Sequence, residues 1–448
     1  MGSSIRGRYR IPCRQFPSAD NLSLRQRITN NHGFRSFKLA AAILDFSHSV
    51  HGKLECGPQN GVVGSRSEVW ANRRPLGNYK SMCSIGALVT ARRTREEEAR
   101  ILSIFKRSRS ITEIDVAKET AKIVRFHSLG GPEVLKIQEE PIPEPGRGEV
   151  RLNVNAIGLN RAEVMFRRGE YLESAGLPSK LGYEAAGIVA AVGPEVDKSW
   201  LGKKASTVPA FLMTNYGVYG EVAIVPASAL AAYPEKLTPE EGTSIWMQYL
   251  TAYGALIAHG QITKNEFVVI TAASSSVGIA AIEMVKVEGA ISIATTRTSK
   301  KKATLADVGA THVIATQEED FLARVKEITG GKGARVIFDP IGGKGIELLA
   351  QAAALGGTIF EYGALAPEPT PFPLFTALSK GLAVRGYTLR EILSVPKLRA
   401  KAEQYVFDHV KAGNFKPRVD RIFPFSEIVE AHRYMESNQQ IGKIVVTV

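Results

Sequence analysis

The segment Phe267 to Lys302, FVVITAASSSVGIAAIEMVKVEGAISIATTRTSKKK, constrains the fold more than any other part of the chain. Its apolar run Phe267 to Thr271 is short and rich in β-branched residues, as expected of a strand buried on both faces of a parallel sheet. From Val277 onward Ile279, Ala280, Ile282, Met284, Val285 and Val287 form an apolar helix face, with Glu283, Lys286 and Glu288 expected on the solvated side. Gly289 suits the end of that helix, and Ala290 to Thr295 reads as a second strand. The unit is therefore β-turn-α-β, in which a dinucleotide pyrophosphate would lie on free backbone N–H groups at the helix start.

The turn departs from the glycine-rich fingerprint. It reads Ala272-Ala273-Ser274-Ser275-Ser276-Val277-Gly278, and only the last glycine, which permits close helix-to-strand packing, is kept. Ser274, Ser275 and Ser276 can cap the helix and donate hydroxyls to phosphate oxygens; ordinary capping of a structural helix fits the same residues. Ser274 to Gly278 are thus the candidate phosphate ligands. The end of the second strand, Thr295 to Lys302, holds no acid to accept a ribose 2′-OH. Thr296, Arg297 and Lys301 are instead placed for a 2′-phosphate, with Arg297 stacking on adenine or pairing with the phosphate and Lys301 supplying a point charge. The expected cofactor is NADPH.

The chain has 448 residues and a formal net charge of +13, which would suggest nucleic acid if it were spread along the sequence. It is not: residues 1–118 hold 21 Lys+Arg against 9 Asp+Glu, leaving 36 against 35 in the remainder. Basicity is a property of the N-terminal extension alone. Cys13, Cys56 and Cys83 also lie there, so no disulfide framework, Cys-ligated metal site or cysteine nucleophile is expected beyond residue 118. No apolar run approaches the roughly 18 residues that span a bilayer.

Residues 1 to about 90 are rich in Ser, Asn, Gly and Arg without sustained periodicity and read as largely disordered. Met1 to Gly52 carries only two acids, Asp20 and Asp45, and resembles a mitochondrial transit peptide in composition; a tail with no targeting role fits as well. The expected location is cytoplasmic, or mitochondrial if that resemblance holds. Ala91 to Lys118 is charged and of helical character. From Thr120 short strands and turns indicate a largely β domain. Beyond Trp246 strands and helices alternate, with strands expected near 267–271, 290–295, 311–315, 334–339, 357–362 and 382–386. The expected fold is α/β: a doubly wound parallel Rossmann sheet over 246–386, and a discontinuous mainly β domain over 119–245 and 387–448, rejoined by a last strand at Lys443 to Val448.

Several motifs in order resemble the medium-chain dehydrogenase/reductase superfamily and its zinc-free quinone oxidoreductase branch: FHSLGGPEVL, AIGLNRAEVMFRRGEY, LGYEAAGIVAAVG, YLTAYGAL, VIFDPIGG, IFEYGALA and NQQIGKIVVTV. The resemblance runs from about Ala121 to Val448 and implies a GroES-like β domain. Where zinc alcohol dehydrogenases carry Gly-His-Glu, this chain has Gly182-Tyr183-Glu184; their cysteine ligand is replaced by Leu159-Asn160-Arg161, and the structural zinc loop is missing. Tyrosine and asparagine are poor zinc ligands, so no metal is expected.

The resemblance implies hydride transfer to an acceptor that is already electron-poor, a quinone or α,β-unsaturated carbonyl. It marks Asn160 as the active-site asparagine, orienting nicotinamide or acceptor. It marks Tyr171 as a cleft tyrosine that bonds the acceptor oxygen or delivers a proton. A second tyrosine usual in that loop is Met165 here. On the cofactor side it places Thr251 near the nicotinamide ribose, and Tyr362, Gly363 and Leu365 in the loop flanking the nicotinamide. Gly442 and Lys443 would close on the phosphate side. An enoyl-thioester reductase is the close alternative; an NADPH-responsive RNA-binding protein, using the basic extension, is the alternative of another class. A homodimer is expected from the family's habit.

Overall fold

The computed structural model describes residues 119–448, all within one compact unit. The expectations for the N-terminal extension, including the helical stretch at Ala91 to Lys118, lie outside the described residues.

Strand β1 (Thr120–Arg125) pairs antiparallel with β2 (Lys136–Pro141). A seven-stranded sheet is built on β3 (Glu149–Gly158), β4 (Glu184–Val192), β5 (Lys204–Thr207), β6 (Val222–Pro226) and β7 (Leu230–Ala231). Its buried face carries Val150, Leu152, Val154, Ala185, Val189 and Val225, packed with Phe126, Phe166 and Tyr219. Helix α1 (Arg161–Arg168) follows β3 and starts at a capping box in which Asn160 is the N-cap and Glu163 reaches back to its N–H.

The second layer is a six-stranded parallel sheet in the order β10-β9-β8-β11-β12-β13, the doubly wound arrangement expected from the alternating pattern. Its strands are β8 (Phe267–Ile270), β9 (Ile291–Thr296), β10 (His312–Ala315), β11 (Ala334–Asp339), β12 (Ala353–Glu361) and β13 (Ala383–Gly386). Helix α2 (Trp246–Tyr253) runs into a π-helical turn over Gly254–His259, and α3 (Ser276–Val287) follows β8. Both pack on the sheet face formed by Ile270, Phe338 and Phe360.

After β13, helix α4 (Pro396–Ala412) and helix α5 (Ile428–Glu436) alternate with β14 (Val419–Pro424) and β15 (Lys443–Thr447). Strand β15 pairs parallel with β14 and antiparallel with β3, so the C-terminus completes the sheet begun by the first half of the chain. One expectation on α3 is corrected. Glu283 is buried, not solvated, because α2 and the segment after α4 cover it. The Tyr249 hydroxyl donates to Glu283 Oε2 at 2.6 Å and the Lys416 N–H to Oε1 at 3.2 Å, while burial first of all pushes its carboxyl up to about 7.

Candidate functional site

The serine turn joins β8 to α3 at the carboxyl edge of the parallel sheet, where open α/β sheets bind ligands. Ala272 takes φ of 43°, a left-handed conformation at a place where the usual fingerprint has glycine freedom. Ser275 is the N-cap of α3, its hydroxyl accepting from the Gly278 N–H at 3.0 Å. A Cβ on Gly278 would stand 2.6 Å from Ala273 Cα, so the helix can approach the strand this closely only with glycine there. Ser276 and Val277 form the first turn of α3, and both are partly buried.

The C-terminal strand reaches this turn. Gly442 donates its N–H to the Ser274 carbonyl at 3.0 Å, with φ of 120° and the Arg418 carbonyl 2.6 Å from where a Cβ would sit. Thr296 ends β9, buried, beside exposed Arg297. Lys301 Nζ donates to Ser274 Oγ at 3.1 Å and to the carbonyls of Gln440 at 2.8 Å and Asn438 at 3.3 Å. Arg297 reaches the same Asn438 carbonyl at 3.4 Å. Partial burial, then the Arg297 charge, holds the Lys301 ammonium below its ordinary range. Two cations thus converge beside Ser274, and among the described ion pairs neither has a carboxylate partner.

Lys443, one residue beyond Gly442, turns the other way. Its side chain is fully buried, paired with Glu184 and donating to Asn160 Oδ1 at 2.6 Å. Its charge is therefore spent inside the seven-stranded sheet rather than on the phosphate side. Asn160 is equally occupied: Nδ2 donates to Gly158 O, Glu163 Oε1 and Glu184 Oε2, each at 3.2 Å. With both ends of its amide held by protein, Asn160 orients the Lys443–Glu184 pair in this structure. Glu184 Oε1 also accepts the Met247 N–H of α2 at 2.8 Å, tying the β sheet to the helix that carries Thr251. Thr251 itself is buried and its hydroxyl donates to the Met247 carbonyl. The sequence signal for this network was the simultaneous presence of Asn160, Glu184 and Lys443 in separate motifs; nothing local shows that they meet.

The nicotinamide-side candidates lie after β12. Tyr362 stacks on Phe338 with ring centroids 3.9 Å apart, Gly363 lies against Pro340, and Leu365 is bonded through its N–H to the Pro340 carbonyl at 3.1 Å with an exposed side chain. Sequence reasoning missed Glu361, in register with Asp339 on the neighbouring strand. Burial, then the Asp339 charge, pushes its carboxyl up to about 8. Asp339 is satisfied by the Thr271 hydroxyl and the Gly342 N–H at 2.7 Å.

Tyr171 lies in the loop after α1, partly buried, at the edge of the β-domain core. It packs against the cluster that contains Tyr183, whose hydroxyl donates to Glu173 Oε2 at 3.1 Å. Arg390, just past the carboxyl end of β13, lies 4.0 Å from the same carboxylate. The sequence singled out Tyr171 and places Glu173 two residues on in the same loop, but gave no reason to bring Tyr183 and Arg390, from two other segments, to that carboxylate. Among the described residues no group of His, Cys, Asp and Glu is placed to hold a metal ion, and no helix is long and apolar enough to cross a membrane.

Residues 146–235 match the family "Alcohol dehydrogenase GroES-like domain" and residues 276–404 the family "Zinc-binding dehydrogenase". Quinone oxidoreductase 1 of Escherichia coli K12 is 31% identical over 322 residues, covering 71% of this chain and 97% of its own. The synaptic vesicle membrane protein VAT-1 homolog of Rattus norvegicus is 29% identical over 340 residues, covering 71% and 82%. Among solved structures, the Escherichia coli quinone oxidoreductase complexed with NADPH superposes with a TM-score of 0.68 at 29% identity, over 73% of this chain and 100% of that one.

Proposed function

The chain belongs to the quinone oxidoreductase branch of the medium-chain dehydrogenase/reductase superfamily, and from that premise we propose that it is an NADPH-dependent, metal-independent reductase of quinones or α,β-unsaturated carbonyls. The division of labour follows the expected domains, 246–386 for the cofactor and 119–245 with 387–448 for the acceptor. When bound, NADPH supplies the hydride. The observation that carries the cofactor assignment is the convergence of Arg297 and Lys301 on the Asn438 carbonyl beside Ser274. Two cations with no carboxylate ion-pair partner among the described residues fit a 2′-phosphate, and the absence of an acid at the end of β9 disfavours a bare ribose.

Ser274 to Gly278 would receive the pyrophosphate on the first N–H groups of α3. Thr251, Tyr362, Gly363 and Leu365 would flank the nicotinamide, excluding water from it. Tyr171 would bond the acceptor oxygen and deliver its proton. In place of a metal, the cation nearest Asn160 and Glu184 is the Lys443 ammonium, which supports chemistry without a Lewis acid. A homodimer is supported by β13, an edge strand of the parallel sheet, and by exposed Phe372, Leu374, Phe375 and Leu378 in the segment before it.

One observation favours enoyl thioesters as acceptors: Arg390 is largely exposed near Tyr171, a cation suited to an anionic carrier arm. The test is a stopped-flow screen of NADPH and NADH oxidation against quinones, enones and enoyl thioesters, with and without chelator. Preferential NADPH turnover with quinones or enones, unaffected by chelator, supports the proposal. Turnover confined to enoyl thioesters moves the assignment to that class, and inactivation by chelator reversed by zinc overturns metal independence.

A further inference from the structure

The loop between α5 and β15 turns at Asn438, whose φ is 59°, a left-handed backbone that asparagine accepts more readily than other residues with side chains. Asn438 is exposed, yet each of its polar groups is bonded to protein. Its N–H donates to the Met435 carbonyl at 3.3 Å and its Nδ2 to the Glu436 carbonyl at 3.2 Å. Its Oδ1 accepts from the guanidinium of Arg161, the first residue of α1, which also reaches the Met435 carbonyl at 2.8 Å. Its backbone carbonyl accepts from Lys301 Nζ at 3.3 Å and from Arg297 at 3.4 Å. An exposed residue held in all these directions is a fixed point.

We propose that Asn438 is a positioning residue for cofactor choice: its carbonyl, fixed by the left-handed turn and by Arg161, aims Arg297 and Lys301 at one place and so sets the preference for a 2′-phosphate. The proposal rests on the reading of those two cations given above.

The two cations depend on it unequally. Lys301 has two further anchors, Ser274 Oγ at 3.1 Å and the Gln440 carbonyl at 2.8 Å. Among the described residues Asn438 is the one protein partner of the Arg297 guanidinium. The two positive charges repel each other, and Arg297 is exposed, so without a shared acceptor its side chain would swing into water. A neutral carbonyl suits this task. Its partial charge holds both cations together and cancels neither, whereas a carboxylate would neutralise them before any ligand arrived. Ordering one such flexible side chain in advance is worth about two- to tenfold in affinity.

The test measures calorimetric binding, on the full chain, of adenosine 2′,5′-bisphosphate and adenosine 5′-monophosphate, which differ by the 2′-phosphate alone. Asn438→Val, whose β-branched side chain opposes a positive φ and redirects the carbonyl, should weaken the bisphosphate about fivefold or more. The monophosphate, which also serves as the control for folding, should change by less than about twofold. Asn438→Gly keeps the left-handed turn and loses only the side-chain bonds, so its effect should be smaller. The KM values of NADPH and NADH should divide in the same way. In an Arg297→Ala background Asn438→Val should add little. Equal losses for both fragments, no loss for the bisphosphate, or a full additional loss in the Arg297→Ala background overturns the proposal. If Arg297→Ala with Lys301→Ala leaves the bisphosphate bound as before, the 2′-phosphate reading falls and the proposal with it. If that pair weakens the bisphosphate and Asn438→Val does not, the role of Asn438 alone falls.

Discussion

Two lysines, Lys301 and Lys443, had the same expected task of adding charge on the phosphate side of a cofactor, yet the structure puts them in opposite situations. Lys301 is half-buried at the carboxyl edge of the parallel sheet, held by a serine hydroxyl and two backbone carbonyls. Lys443 is fully buried, neutralised by Glu184 and held by Asn160. The first is held only by neutral acceptors; the second has already met its counter-charge. A cation recruits an anion only when its electrostatic field is not cancelled nearby, and a buried pair at contact distance cancels it almost fully.

The largest effect that could break this contrast is removal of the Lys443 charge. Lys443→Met leaves Glu184 buried without its partner and is expected to cost about 3–5 kcal/mol in chemical unfolding. The double variant Lys443→Met/Glu184→Gln should recover most of that loss and keep the preference for NADPH over NADH. A lost preference in the double variant would return Lys443 to the phosphate side.

A smaller energetic effect, but a sharper one for function, is expected from Arg297→Ala with Lys301→Ala. The NADPH KM should rise about tenfold or more while the NADH KM changes little, the signature of a lost charge-assisted phosphate contact. Equal changes with both cofactors would remove the 2′-phosphate assignment and leave the two lysines alike.

The smallest effect concerns the turn to which Lys301 is bonded. Ala272 holds φ of 43°, so Ala272→Gly should relieve local strain and raise stability by about 0.5–1 kcal/mol, less whatever entropy the unfolded chain gains. Thermal unfolding with and without cofactor measures it. A loss of stability would mean that the methyl group, rather than the backbone, fixes the turn.

Much of the site's frame was legible because it is local. The turn Ala272 to Gly278 shows its capping serine and its packing glycine in seven consecutive residues, and α3 follows within the same segment. Arg297 and Lys301 lie within five residues past the end of β9, so their common location follows from strand direction and short spacing. Glu283 shows where local reading stops. Its position on the polar side of α3 pointed to solvent, but Tyr249 and Lys416, 34 and 133 residues away, cover it.

The sequence by itself determined the alternating α/β order, the capped serine turn, the absence of an acid at the end of β9 and the confinement of thiols and excess charge to the first 118 residues. These depend on residue type and short spacing. Only the tertiary structure decided that Lys443 pairs with Glu184 across 259 residues, that Asn160 holds that pair, and that Tyr183 and Arg390 meet at the Glu173 carboxylate. Which opposite charge a buried lysine meets is set by strand pairing between distant segments, and long-range pairing leaves no periodic signal in the chain that forms it.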